Sequence, residues 1–161
     1  MEEGKYGKYI VTEFYDGFEL PEERAWEKPI MGRGLLNGQR RFMEHMVWDS
    51  NVIPDAFYAE AVWFWPQARA KVINPEDAKK TPGIPPHSHS FPELLSFYGT
   101  DMEHPEELYC QIEFWIDGEK QMINESFTAF IPAGVKHGPL TIRNVKRPIA
   151  HLIACDTGSY K

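Results

Sequence analysis

Cysteine is scarce. Cys110 and Cys155 are the only two in 161 residues, far apart and without a CxxC spacing. That excludes a disulfide framework and a structural zinc ribbon, and it points to a reducing, cytoplasmic setting. Long apolar runs are also missing: none approaches the ~20 residues a membrane helix needs. The opening "MEEGKYGKYI" lacks the basic start and apolar stretch of a signal peptide. Positive charge is in deficit, with 17 Lys and Arg against 24 Asp and Glu, a net charge of -7 and a pI of about 5.4. The phosphate attraction that underlies most nucleic-acid binding is therefore absent. Arg40 and Arg41 stand together, and Lys136, Arg143, Lys146 and Arg147 gather near the C-terminus, but no recognition-helix pattern accompanies them. Neither nucleic acid nor membrane is an expected partner. "MGRGLLNG" at 31–38 is rich in glycine but has no GK[ST] ending, so it reads as a turn-rich lead-in rather than a phosphate loop.

What the chain does contain is apolar and aromatic substance. It is 42% apolar and 14% aromatic, with five tryptophans, enough for one globular domain with its own core. Residues 1–38 are dense in charge, Gly and Pro around a short β-like run at 8–14, and read as an N-terminal arm or edge strand. From 39 to 161 short runs of β-branched and aromatic residues alternate with Pro, Gly, Asn and Asp, the punctuation of an all-β fold. Strands are expected at about 39–48, 58–65, 68–73, 85–90, 93–98, 108–117, 119–123, 127–131, 139–143 and 148–155. The stretch "LYCQIEFWIDGEKQMI" is the clearest hairpin: Cys110, Ile112, Phe114 and Ile116 share a face, and Asp117-Gly118 supplies the positive-φ turn. Proline-rich loops at 74–86 and 99–107 flank a histidine-bearing segment, as the rim of a site on a β scaffold would.

That segment is "PPHSHSFPE", residues 85–93. Along a strand, alternate residues face the same side about 6 to 7 Å apart, so His87 and His89 can aim at one point. Glu93 has the same parity, although Pro92 bends or ends the strand before it. Two imidazoles and a carboxylate suit a transition metal. Downstream, "PAGVKH" places a tight turn at Pro132 and Gly134 before His137, where the chain re-enters the sheet and can come opposite His87.

Gly83, His87, His89, Glu93 and Gly99 follow in the order of the first motif of the cupin superfamily, and Pro132, Gly134 and His137 match its second; the chain resembles that superfamily. It departs from the pattern in several places. Gly83 lies closer to His87 than usual and the Glu93–Gly99 interval is one residue short. Ser126 stands where the second motif begins with glycine, and Thr141 replaces a late asparagine. The resemblance implies a single cupin-type β-barrel, a jelly-roll-like double-stranded β-helix with an N-terminal arm. It implies one divalent transition metal (Fe, Mn, Zn, Ni, Co or Cu) held by His87, His89, Glu93 and His137, with the remaining positions open to water or a small-molecule substrate. It also suggests a homodimer to which the arm contributes.

Polar residues on otherwise apolar strand faces are further candidates, because each costs free energy unless it is paired. His45 alternates with Met43 and Val47, Glu60 with Tyr58, Val62 and Phe64, and His151 lies in "IAHLIACD". These three are the expected proton-moving groups. Trp63, Trp65, Tyr98, Tyr109 and Phe114 could wall a pocket, His104 belongs to an exposed loop, and Cys110 reads as a buried small hydrophobe. The expected function is that of a metal-dependent enzyme, an oxygenase or an isomerase/lyase, acting on a small oxygenated or aromatic substrate with the metal as Lewis acid. The alternative is a non-catalytic metal-containing binding or sensing module. A sensor would usually carry a DNA-binding helical domain or a basic face, which disfavours that alternative.

Overall fold

The computed structural model describes residues 6–12, 42–66 and 84–160, with the backbone of 35–36 and 39–40. The expected strand at 68–73, most of the 1–38 arm and Gly83 lie outside the described residues. Apart from one turn of 3₁₀ helix at Gly7–Tyr9, every described element is a strand. They are β1 (Leu35–Leu36), β2 (Gln39–Arg40), β3 (Met43–Trp48), β4 (Tyr58–Phe64), β5 (Glu93–Gly99), β6 (Glu107–Ile116), β7 (Glu119–Glu125), β8 (Phe127–Ile131), β9 (His137–Arg143) and β10 (Ile149–Cys155). Among the described residues no helix is long and apolar enough to cross a membrane.

The short strands β1 and β2 pair antiparallel, Leu35 with Arg40 and Leu36 with Gln39. The remaining strands form two antiparallel sheets, one ordered β3-β4-β10-β5-β8 and the other β7-β6-β9. This is an all-β, two-sheet architecture, consistent with the cupin-type fold that the sequence resemblance implies; the sheets are not closed into a continuous hydrogen-bonded barrel. The last described strand, β10, inserts between β4 and β5, so segments far apart in sequence become neighbours in the same sheet.

Alternation decides which residues face inward. Along β10, Ile149, His151, Ile153 and Cys155 are buried while the residues between them are only partly so. Register carries this across the large sheet. Tyr58, Cys155, Glu93 and Ile131 form one transverse row, Glu60, Ile153 and Leu95 the next, and Val62, His151 and Phe97 a third. From the opposite sheet Leu108, Cys110, Ile112 and Phe114 of β6 complete the core with Leu140 of β9. Each large apolar side chain so buried stabilises the fold by about 1.5–3 kcal/mol. Cys110 is buried, as read from the sequence, and its thiol pKa is pushed up to about 11 by burial.

The hairpin read at 108–123 forms between β6 and β7, with Asp117 (φ 49°) and Gly118 (φ 82°) both in the left-handed region. The expected strand at 39–48 breaks into β2 and β3. A larger correction concerns 85–90, which does not form a strand. The stretch makes two isolated bridges to β9, Ile84 opposite Leu140 and His87 opposite His137. Pro85 and Pro86 have no N–H to donate, so a continuous ladder is impossible there.

Candidate metal centre

The two histidine-bearing segments meet through their backbones. His87 N–H donates to His137 O and His137 N–H to His87 O, each at 2.9 Å, while Gly134 N–H donates to His89 O at 2.8 Å. The "PAGVKH" turn is therefore fastened to both residues of the HxH pair. Gly138 makes the approach possible: a Cβ there would lie 2.8 Å from Pro85 O and 3.1 Å from Ile84 O, and its φ is +94°. Glu93 enters from another direction, as the first residue of β5, paired with Cys155 on one side and Ile131 on the other.

Each imidazole is oriented by the same device. Nδ1–H of His87 donates to Pro85 O (2.8 Å), that of His89 to Phe91 O (2.6 Å) and that of His137 to Val135 O (3.0 Å). A neutral ring that donates from Nδ1 presents an acceptor lone pair at Nε2, the arrangement that prepares histidine for a metal. The three candidate ligand atoms lie within 4.8 Å of one another. Three nitrogens around one tetrahedral ion at about 2.1 Å stand about 3.4 Å apart, so an ion bound there would draw the rings together. Glu93 Oε2 stands 3.1 Å from His137 Nε2 and 3.5 Å from His89 Nε2. Both of those nitrogens are buried and make no hydrogen bond, and a cation would satisfy them together. The donor set, three neutral imidazoles and one carboxylate, fits a divalent transition metal.

Electrostatics favour a neutral His87 and an ionised Glu93, while Glu93 draws His137 toward its protonated form, a proton that a cation would have to displace. Burial holds the His87 pKa below its ordinary value, assisted by its histidine neighbours, so the ring is neutral at neutral pH. Burial alone would raise the Glu93 pKa, but the facing His137, with His89 and His87, outweighs it and keeps the carboxylate ionised. Burial would depress His137, yet Glu93 and the Val135 carbonyl overcome it and raise that pKa.

The other sequence candidates fall elsewhere. His45 and Glu60 form a buried pair, Nδ1 to Oε2 at 3.0 Å, and Tyr58 Oη donates to the other oxygen of Glu60. This trio lies in the interior, with Glu60 0% exposed, one row deeper than Glu93. Tyr58 is its member in the same row as Glu93 and Cys155. His151 is two rows away, stacked on Phe97 at 3.9 Å with Nδ1–H donating to Ser96 O at 2.8 Å. Burial lowers its pKa to about 4. Phe114 is core, Trp63 and Trp65 are partly buried and Tyr98 is exposed. Tyr109 donates to Asp101 (2.8 Å) beneath Arg147. His104 is exposed beside Glu106.

Ser126, where the cupin pattern has glycine, donates to Pro105 O (2.7 Å) and accepts from Gly99 N–H (2.9 Å), closing the 99–107 loop with its own hydroxyl. Gly99 itself is required, since a Cβ there would lie 2.1 Å from Glu107 O. Three participants were not singled out from the sequence. Cys155 brings its thiol to 4.0 Å from Glu93 Oε1. Gly138 permits the close approach described above. Tyr160 places its hydroxyl 3.1 Å from His87 Nε2. Only Gly138 had a local signal, a glycine directly beside a candidate ligand; the others are joined to the site by strand order.

No family model matches the chain, and no curated protein matches it. Solved structures of similar shape include oxalate oxidase in complex with the substrate analogue glycolate, at 14% identity and a TM-score of 0.43, covering 73% of this chain. The match spans only 52% of that oxidase chain. The polyketide cyclase RemF from Streptomyces resistomycificus is 16% identical over 71% of this chain and 65% of its own, with a TM-score of 0.40. A protein of unknown function from Streptococcus pyogenes is 11% identical over 93% of this chain and 98% of its own, also at 0.40. What fold and site together define in this chain is an all-β, two-sheet fold, in line with the cupin resemblance of the sequence, with a candidate three-histidine metal site.

Proposed function

We propose that this protein is a metal-dependent enzyme acting on a small oxygenated or aromatic molecule, as an oxygenase or as an isomerase or lyase. One observation carries the reading: His87, His89 and His137 each spend Nδ1–H on a backbone carbonyl and turn Nε2 toward a common point beside the Glu93 carboxylate. These four residues would hold one divalent transition metal. Bound there, such an ion supplies Lewis acidity and a template for two oxygens of a substrate.

The chain's own groups supply the rest. Glu93, ionised beside His137, balances the charge of the cation, and the three carbonyl bonds keep the rings from turning away. Phe91, stacked on His89 at 4.1 Å, together with Tyr160 and Tyr58, gives the site aromatic surroundings suited to a carbocyclic guest. Glu60 and His45 act through Tyr58: with both carboxylate oxygens occupied, they hold that phenol in place beside Tyr160. His151, neutral down to about pH 4, serves by packing on Phe97 and bonding Ser96 O. In this reading the protein works in the cytoplasm as a homodimer on a small-molecule substrate, with residues 1–38 as an arm.

Elemental analysis of protein purified without chelator tests the site. Close to one transition metal per chain is expected, and His89→Ala is expected to lose it. Unchanged metal content in that variant would refute the assignment. Oxygen uptake with a panel of small aromatics and sugars then separates an oxygenase from an enzyme that turns over without O₂.

A further inference from the structure

The five residues after β10 are laid along the β3–β4 connection by a series of bonds. Tyr58 N–H donates to Thr157 O at 2.6 Å, and Ser50 donates to Gly158 O from both its backbone (2.9 Å) and its hydroxyl (2.8 Å). Gly158 suits this seat, because a Cβ there would come within 3.1 Å of Ser50 Oγ. The segment so anchored ends by delivering Tyr160 over the histidine cluster. Its ring lies 5.2 Å from Tyr58 and 5.9 Å from both His89 and Phe91, and its hydroxyl is 3.1 Å from His87 Nε2. Since His87 donates from Nδ1 to Pro85 O, Nε2 carries the lone pair and the phenol is the donor in this contact.

We propose that Tyr160 caps the candidate metal centre and competes with the cation for His87. The hydroxyl holds the lone pair that a metal would take, and the ring covers the approach between His89 and Phe91. The inference rests on the proposed metal centre and assigns a role to a residue outside the ligand set. A cation entering the site must break the phenol–imidazole bond, so removing the hydroxyl favours binding. Removing the ring as well uncovers the ligands and lets a chelator in.

Titration of chelator-stripped, full-length protein with Co(II), read by the visible spectrum of the bound ion, tests both parts. Tyr160→Phe keeps the ring and is expected to tighten the Kd by about three- to tenfold, the worth of one net hydrogen bond. Tyr160→Ala is expected to lose Co(II) to excess EDTA several-fold faster than either the parent or Tyr160→Phe. A purely structural tyrosine would leave the phenylalanine variant unchanged. A Kd for Tyr160→Phe within twofold of the parent, or weaker than it, would overturn the competition, and equal stripping rates in all three would overturn the cap. Thermal melts of the metal-free proteins establish that each variant folds. Should Tyr160→Ala not fold, the Phe variant alone decides the competition. Failure of the metal centre itself looks different: the parent would then bind no Co(II) that His89→Ala abolishes.

Discussion

Replacing Gly138 by alanine perturbs the junction on which the candidate centre depends. Its φ of +94° is one that an L side chain adopts only under strain, at about 1–2 kcal/mol. The new Cβ would also stand 2.8 Å from Pro85 O, and ordinary contact requires the two to separate by about 0.6 Å or more. The Ile84–Leu140 bonds, both already 3.3 Å, do not survive such a displacement. Two lost backbone bonds add about 2 kcal/mol. The total is about 3–4 kcal/mol, measurable as a shift in the urea midpoint. The same displacement carries His87 away from His137, beyond the ~0.2 Å within which metal–ligand distances are held, so Co(II) affinity should fall at least tenfold. Gly134→Ala is the control: its φ is +79°, but nothing lies within 4 Å of the added Cβ. It should show the conformational cost alone and keep most of the metal affinity. If Gly138→Ala matched Gly134→Ala in both stability and Kd, the close approach would not be what positions His87.

His151 makes stability depend on pH. Its folded pKa of about 4 lies below the ordinary 6.5, so the unfolded chain takes up a proton that the native one refuses. Its contribution is complete above pH 6.5 and is lost as the pH falls toward 4, by up to about 3 kcal/mol. Across that window the urea midpoint of the parent should fall relative to that of His151→Phe as the pH drops, and a constant gap would refute the assignment. Tyr58→Phe removes a donor from the fully buried Glu60 and should cost about 1–3 kcal/mol in chemical denaturation; a cost below ~0.5 kcal/mol would mean that Glu60 does not depend on that hydroxyl.

The all-β class and most strands were legible in the sequence, because period-two alternation and turn chemistry are local. Inward-facing positions on one strand repeat every second residue whatever lies opposite, so His45, Glu60 and His151 could be read as interior polar groups before their partners were known. The histidines of "PPHSHSFPE" and "PAGVKH" were legible for a different reason: the same two segments carry the turn residues that bring them together. The strand expected at 85–90 rests on the parity of His87 and His89, and Pro85 and Pro86, which have no N–H to give to a ladder, prevent it from forming.

What only the tertiary structure decided is the company those residues keep. Strand order, with β10 inserted between β4 and β5, sets Cys155 beside Glu93, places Tyr58 in the same row and puts His151 two rows away. The path of the chain after β10 brings Tyr160 to His87 across 73 residues of sequence. Such pairings depend on which edges meet when the sheets assemble, and no local periodicity encodes that. The sequence by itself determined which side chains face inward and which can offer a lone pair; the fold determined which of them face one another.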